Sequence, residues 1–288
     1  MIQKEVGTIE APEKRIIAVV GGTGMFGGSV ARSPHDSPAF LVHVTTQDPG
    51  SKKARRISRL GIEVARADSW SADELAPAFR GCWGLFLNTD SDDPSFKQQI
   101  GPPESDMGRI AVDAAIAQGV RHFVFSGLPE ASKITGGAVP VLSFDNKAAI
   151  AAYARQAGFE TAVSVNSGWA LDIFWMETCA KAFGGFALIP DADGFLTLKL
   201  QPMGNDPEMV PWTSLEDDYG DAVHGVFLDA ARWDGQTIWA VSECMSFEAV
   251  TDTYNRVVGR DSARKGISSV VKQEILENYL DFFTLQRV

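Results

Sequence analysis

The chain has 288 residues, 45% of them hydrophobic and 22% charged. That length holds one large domain or two small ones around a sizeable core, and the balance excludes extended disorder and collagen-like repeats. The net charge of −11 disfavours nucleic acid as a partner, because Lys and Arg must neutralise phosphates there.

Met1 to Arg15 is polar, has no apolar core of a secretory signal, and reads as a frayed tail. No run reaches the ~20 apolar residues of a membrane helix. Cys82, Cys179 and Cys244 lie far apart, without CxxC or Cys/His metal spacing. We therefore expect a cytoplasmic protein with no structural disulfide and no metal.

Short apolar, β-rich runs follow, at Arg15–Val20, Phe40–Thr45, Ile62–Ala65, Trp83–Leu87, His122–Ser126 and Thr161–Val165. Several are almost wholly apolar, as strands covered on both faces of a parallel sheet must be. Helical patterns lie between them. Ser71 with Glu74 is a capping-box signature for a helix running to Phe79. Longer helices are expected over Asp106–Gln118 and Asp145–Ala157, with Gly119 and Gly158 as stops. Strand–helix alternation of this kind predicts an α/β, doubly wound parallel sheet with ligands at the carboxyl ends of its strands. After Val165 the pattern loosens. It leaves a strand at Phe195–Leu200, a helix at Ser214–Ala231, a strand at Thr237–Val241, and helices at Ser246–Val258 and about Ser269–Phe283. We expect 15–165 to form the core, with 214–245 returning to it, and 166–213 and 246–288 to form a smaller substrate-covering lobe.

The most informative segment is Gly21-Gly22-Thr23-Gly24-Met25-Phe26-Gly27-Gly28, directly after the first strand. In a GxxGxxG loop, Gly21 makes the tight turn, Gly24 lets backbone approach a pyrophosphate, and Gly27 brings the helix close to the strand. The helix start then offers free N–H groups and partial positive charge. The ribose-reading position, near the end of the second strand, holds Thr45-Thr46-Gln47-Asp48. Gln47 selects neither a 2′-hydroxyl nor a 2′-phosphate decisively. Lys52 or Lys53 could reach a phosphate, although Lys52–Arg56 also reads as a solvated helix face. NAD and NADP both stay open, with a lean to NADP.

Four blocks carry a resemblance: Gly21–Arg32 (GGTGMFGGSVAR), Val120–Leu128 (VRHFVFSGL), Phe144–Lys147 (FDNK) and Ser167–Ile173 (SGWALDI). With these the chain resembles the NmrA-like family of atypical short-chain dehydrogenases, which includes redox sensors and isoflavone-reductase-like enzymes. The resemblance implies a Rossmann core that binds NADP or NAD, and a small C-terminal lobe over the nicotinamide. It places Gly21, Thr23, Gly24, Met25, Phe26 and Gly27 in the phosphate loop, Thr46 and Gln47 beside the adenosine ribose, and Asp68 and Ser69 at the adenine. Asn88 and Thr89 would lie along the cofactor, Lys147 would reach the nicotinamide ribose, and Ser167, Gly168 and Trp169 would flank the nicotinamide. Lys147 and Ser126 are the expected catalytic pair.

Two departures stand out. Gln47 replaces the arginine that usually follows the second strand. Ser143 stands where a YxxxK pair would have tyrosine, and a Ser hydroxyl is a poor general acid. Three readings follow. One is a reductase of an aromatic or conjugated carbonyl metabolite, with a homodimer as one possible assembly. The second is an NADP(H)-sensing regulator with a protein partner. The third is a non-redox catalyst on the same scaffold. Trp169, Phe174 and Trp175 could wall a planar substrate, though Phe174 and Trp175 read better as core.

Overall fold

The computed structural model describes residues 14–91, 93, 96, 101–200 and 207–258. In chain order its strands are β1 (Arg15–Val20), β2 (Phe40–Thr46), β3 (Glu63–Arg66), β4 (Gly84–Leu87), β5 (His122–Gly127), β6 (Thr161–Ser167), β7 (Trp169–Ala170), β8 (Val210–Thr213), β9 (Thr237–Ala240) and β10 (Glu243–Met245). The helices are α1 (Met25–His35), α2 (Lys52–Ser58), α3 (Ala72–Phe79), α4 (Glu104–Ala117), α5 (Ala131–Ile134), α6 (Leu142–Ala154), α7 (Glu177–Ala182), α8 (Gly220–Leu228), α9 (Ala230–Trp233) and α10 (Phe247–Val258).

Seven strands form one parallel sheet in the order β3-β2-β1-β4-β5-β6-β9. Alternation along β1 divides the core between the two faces of that sheet. Ile17 and Val19 pack with Val30 and Ala31 of α1 and with Val223 and Phe227 of α8. Ala18 and Val20 pack on the other face with Leu75 and Phe79 of α3, Ala111 of α4 and Ile150 of α6. Each Val, Ile, Leu or Phe among them, buried in full, contributes roughly 1.5–3 kcal/mol. The doubly wound sheet expected from the periodicity is present.

Local chemistry sets the helix starts. Ser51 accepts a bond from the backbone N–H of Ala54, and Ser71 from that of Glu74. Only half of the expected capping box forms, because the Glu74 carboxylate turns to Arg66 and to the N–H of Asp68. α4 begins two residues before the expected Asp106, and α6 three residues before the expected Asp145.

The later chain departs more from the sequence reading. Phe195–Leu200 is not a strand but carries isolated bridge positions at Thr197, which pairs with Gly185, and at Leu198. Its backbone bonds go to the irregular stretch around Phe183 and Phe186 instead of a neighbouring strand. The helix expected over Ser214–Ala231 is interrupted twice. Leu215–Tyr219 winds as a wider π-type turn, and Asp229 leaves helical geometry (φ −137°, ψ 58°). A second, three-stranded sheet, β10-β8-β7, went unread because its strands are only two to four residues long. A third apolar cluster gathers around Trp212, Phe174, Phe183, Phe186 and Phe247. The expected helix at Ser269–Phe283 lies outside the described residues.

Candidate functional site

The strand order reverses between β1 and β4, and in such sheets the crevice at that switch point is where ligands bind. Gly21 and Asn88 face each other there. Gly21 has φ +76°, and a Cβ on it would lie 2.8 Å from the Asn88 carbonyl oxygen. Gly27 is required by contact, since its Cβ would meet the Gly21 oxygen at 2.3 Å. Gly24 differs from both. Its φ is −81°, and the nearest atom to its Cβ would be the Gly21 oxygen at 3.3 Å. The fold demands glycine less strictly here than at Gly21 or Gly27, since the Gly21 oxygen would have to give by only a few tenths of an ångström, whereas a closely approaching ligand would demand it fully.

α1 begins at Met25 without a side-chain cap and without an acidic residue in its first turn. With neither a cap nor a first-turn acid, the start of α1 leaves N–H donors and helix-end positive charge facing the crevice. A groove of about 380 Å³ opens at this point. Thr23, Gly24 and Met25 wall one side, and Arg32, Lys53 and Arg56 bring three cations to it. The Glu216 carboxylate lies 3.6 Å from Arg32 and 3.8 Å from Arg56, in pairs exposed enough to hold them only weakly. Trp175 also lines the groove and is 64% exposed, so it is not the core residue that its spacing suggested. Phe174 is buried in the third cluster.

Along the edge of strand ends, Gln47 donates to an Asp68 carboxylate oxygen at 3.1 Å, and the same oxygen accepts the Trp70 N–H. Thr46, Ser69 and Asn88 are half-buried beside them. At the far side, Ser167 ends β6, and Gly168 donates to the Thr213 hydroxyl at 2.7 Å. Trp169 joins the aromatic cluster, with its ring 5.8 Å from that of Trp212.

Lys147 is 7% exposed and does not pair with Asp145, whose carboxylate takes the Ser132 N–H and hydroxyl. Instead its Nζ lies 2.9 Å from Glu104 Oε1, 2.9 Å from the Thr89 carbonyl and 2.8 Å from Thr89 Oγ1. Its Nζ is also 5.7 Å from the Phe125 ring centroid. Phe125 belongs to the α3/α4/α6 face, so the next residue, Ser126, points to the opposite one. There it hydrogen-bonds Tyr219, whose hydroxyl donates to the Val165 carbonyl at 2.9 Å. Burial pushes the Tyr219 phenol well above its usual range, partly offset by Ser126. The structure therefore does not bring Lys147 and Ser126 together.

Sequence reasoning missed Glu104, Arg32 and Tyr219. Glu104 gave only the weak signal of an acid near a helix start, and Tyr219 none, because it sits in a turn whose wider winding leaves no periodic mark. Among the described residues no helix is long and apolar enough to cross a membrane, and no group of three or more His, Cys, Asp or Glu is placed to hold a metal ion.

The model of the NmrA-like family matches residues 13–286. The chain belongs to the NmrA-like family. It is 43% identical over 250 residues to the NmrA-like family domain-containing oxidoreductase lnaB of Aspergillus flavus, covering 86% of this chain and 75% of that one. With the oxidoreductase FrzB of Cladobotryum sp the identity is 42% over 250 residues, covering 85% and 74%. Among solved structures, NmrA, a negative transcriptional regulator in complex with NAD, superposes with a TM-score of 0.72 at 20% identity, covering 90% of this chain and 74% of that one. The NADPH-dependent quinone oxidoreductase QOR2 of Escherichia coli, complexed with NADPH, gives 0.66 at 17%, covering 94% and 83%. At such identities these neighbours support the Rossmann-type fold alone.

Proposed function

We propose that this NmrA-like chain is an oxidoreductase that uses NADP(H) to reduce a small aromatic or conjugated carbonyl metabolite. One observation carries the reading: the bare start of α1, with ligand room at Gly24, opens onto the same groove as Arg32, Lys53 and Arg56. Helix N–H groups suit a diphosphate, and guanidinium and ammonium groups suit a further phosphate such as the 2′-phosphate of NADP. The names of the fungal relatives and the cofactors of the solved neighbours agree with it.

The nicotinamide supplies hydride when bound. The chain's own residues hold and orient it. Gly21, Thr23, Met25 and Phe26 shape the loop; Thr46, Gln47, Asp68 and Ser69 line the adenosine end; Asn88 and Thr89 follow β4; Ser167, Gly168 and Trp169 border the nicotinamide end, where the substrate enters. In this reading Lys147 holds the nicotinamide ribose and is the proton-bearing group on the α4/α6 face. Ser126 supports Tyr219 from the other face and does not act beside Lys147.

Mixing the purified protein with NADPH and with NADH tests the cofactor. Stabilisation by mass action is expected, larger with NADPH. No thermal shift with either overturns the reading. A carbonyl panel followed by nicotinamide absorbance tests turnover. Absence of turnover alongside tight binding would instead favour a sensor that reports cofactor state to a protein partner. Ser143 in place of a phenol favours that second reading.

A further inference from the structure

Thr89, Glu104 and Lys147 form a closed set. A lysine ammonium has three N–H bonds, and here three acceptors meet them: Glu104 Oε1, the Thr89 carbonyl and Thr89 Oγ1. Thr89 Oγ1 donates in turn to Glu104 Oε1 at 2.5 Å, and the Ser91 hydroxyl donates to the same oxygen at 3.0 Å. Glu104 is 2% exposed and opens the first turn of α4, where the helix end favours a carboxylate. Lys147 is thus drawn onto the end of β4 with no hydrogen to spare for a ligand.

We propose that Glu104 is a positioning residue for Lys147. The carboxylate holds one N–H throughout, and the Thr89 hydroxyl is the exchangeable partner. Lys147 therefore engages a nicotinamide-ribose hydroxyl by releasing Thr89 Oγ1 while Glu104 keeps its grip. This rests on the dinucleotide reading above. The exchange trades one neutral hydroxyl acceptor for another. Letting go of Glu104 would leave a buried carboxylate with hydroxyl donors but no counter-charge, which is far costlier. Glu104 thereby fixes which way the ammonium can swing.

The test compares NADPH with 2′,5′-ADP, which keeps the phosphorylated adenosine but lacks the nicotinamide and its ribose. Affinities for both are measured by calorimetry on the full chain and on Lys147→Met, Glu104→Gln and the double variant. Lys147→Met is expected to weaken NADPH about tenfold, as loss of a charge-assisted bond does, and to leave 2′,5′-ADP within about threefold. Glu104→Gln should lose most of the same factor, again for NADPH only. The double variant should bind NADPH no worse than Lys147→Met, because Glu104 acts through the lysine. A folded Glu104→Gln with wild-type NADPH affinity, or a double variant whose loss is the product of the two single losses, overturns the proposal. If Glu104→Gln does not fold, Lys147→Met against the double variant decides by the same criterion. A wild type that binds neither probe overturns the dinucleotide reading and this one with it. A wild type that binds both probes leaves the dinucleotide reading standing whatever the variants show.

Discussion

The Phe26 ring stands edge-on to the Tyr219 ring, with centroids 4.9 Å apart and planes at 90°. One belongs to the glycine loop's helix and the other lies far along the chain in the turn before α8, so the loop is braced from the core. Tyr219 is in turn tied to β5 through Ser126 and to β6 through the Val165 carbonyl. Tyr219→Phe keeps the ring and removes both bonds. We expect it to lower stability by about 1–3 kcal/mol, since buried partners lose their bond, and urea unfolding measures this.

Gly24→Val and Gly27→Val should part company. A side chain at 24 meets little of the protein, whereas one at 27 collides with the Gly21 carbonyl. Gly24→Val is expected to unfold near the wild-type temperature yet lose its NADPH-dependent stabilisation. Gly27→Val is expected to be destabilised without any ligand, by about 2 kcal/mol or more, as overpacking costs. Thermal melts with and without NADPH separate the two.

Lys53→Ala with Arg56→Ala removes two of the three cations at the groove. NADPH affinity should fall about tenfold, the cost of charge-assisted phosphate contacts, with NADH affinity nearly unchanged. Parallel titrations check this, and equal losses for both nucleotides would place the lysine and arginine away from the extra phosphate.

His122 and His224 contribute to the acid side of stability. Burial lowers the pKa of each below the ordinary 6.5, against the pull of Glu160 and Asp221 respectively, while Arg121 and Arg15 lower His122 further. The unfolded chain then binds more protons between the folded and unfolded values. The stabilisation is present above about pH 6.5 and lost as pH falls below it. His122 lies against Trp83, with ring centroids 4.1 Å apart and planes tilted by 36°, and bonds the Thr161 hydroxyl through Nδ1. Melting temperatures should drop on acidification, and His122→Gln should flatten that profile.

The sheet was legible because β1, β4 and β5 are largely buried on both faces and so mostly apolar, and because Gly21 and Gly27 mark a turn that few other residues could make. The α1 start was legible from the same local pattern, whereas Lys147 stood out only through the Phe144–Lys147 block that resembles the NmrA-like family. Glu104 was not, because its role exists only when α4 and α6 meet over the end of β4. Arg32 was hidden as one more charge on an amphipathic helix. Ser126 lies on β5 as expected, and strand alternation sends it to Tyr219's side and not to that of Lys147. The second sheet escaped because its strands are too short to show a period of two.

β9 forms the outer edge of the main sheet although it is contributed by residues 237–240, and Tyr219, Val223 and Phe227 cover the α1 face. A nascent chain emerging from the ribosome thus completes six strands well before the segment that shields one side of them. Until residues 219–227 follow, Ile17, Val19 and Val30 lack the cover of Tyr219, Val223 and Phe227. A half-covered apolar layer awaiting its own distant segment is the kind of surface that chaperones shield during synthesis.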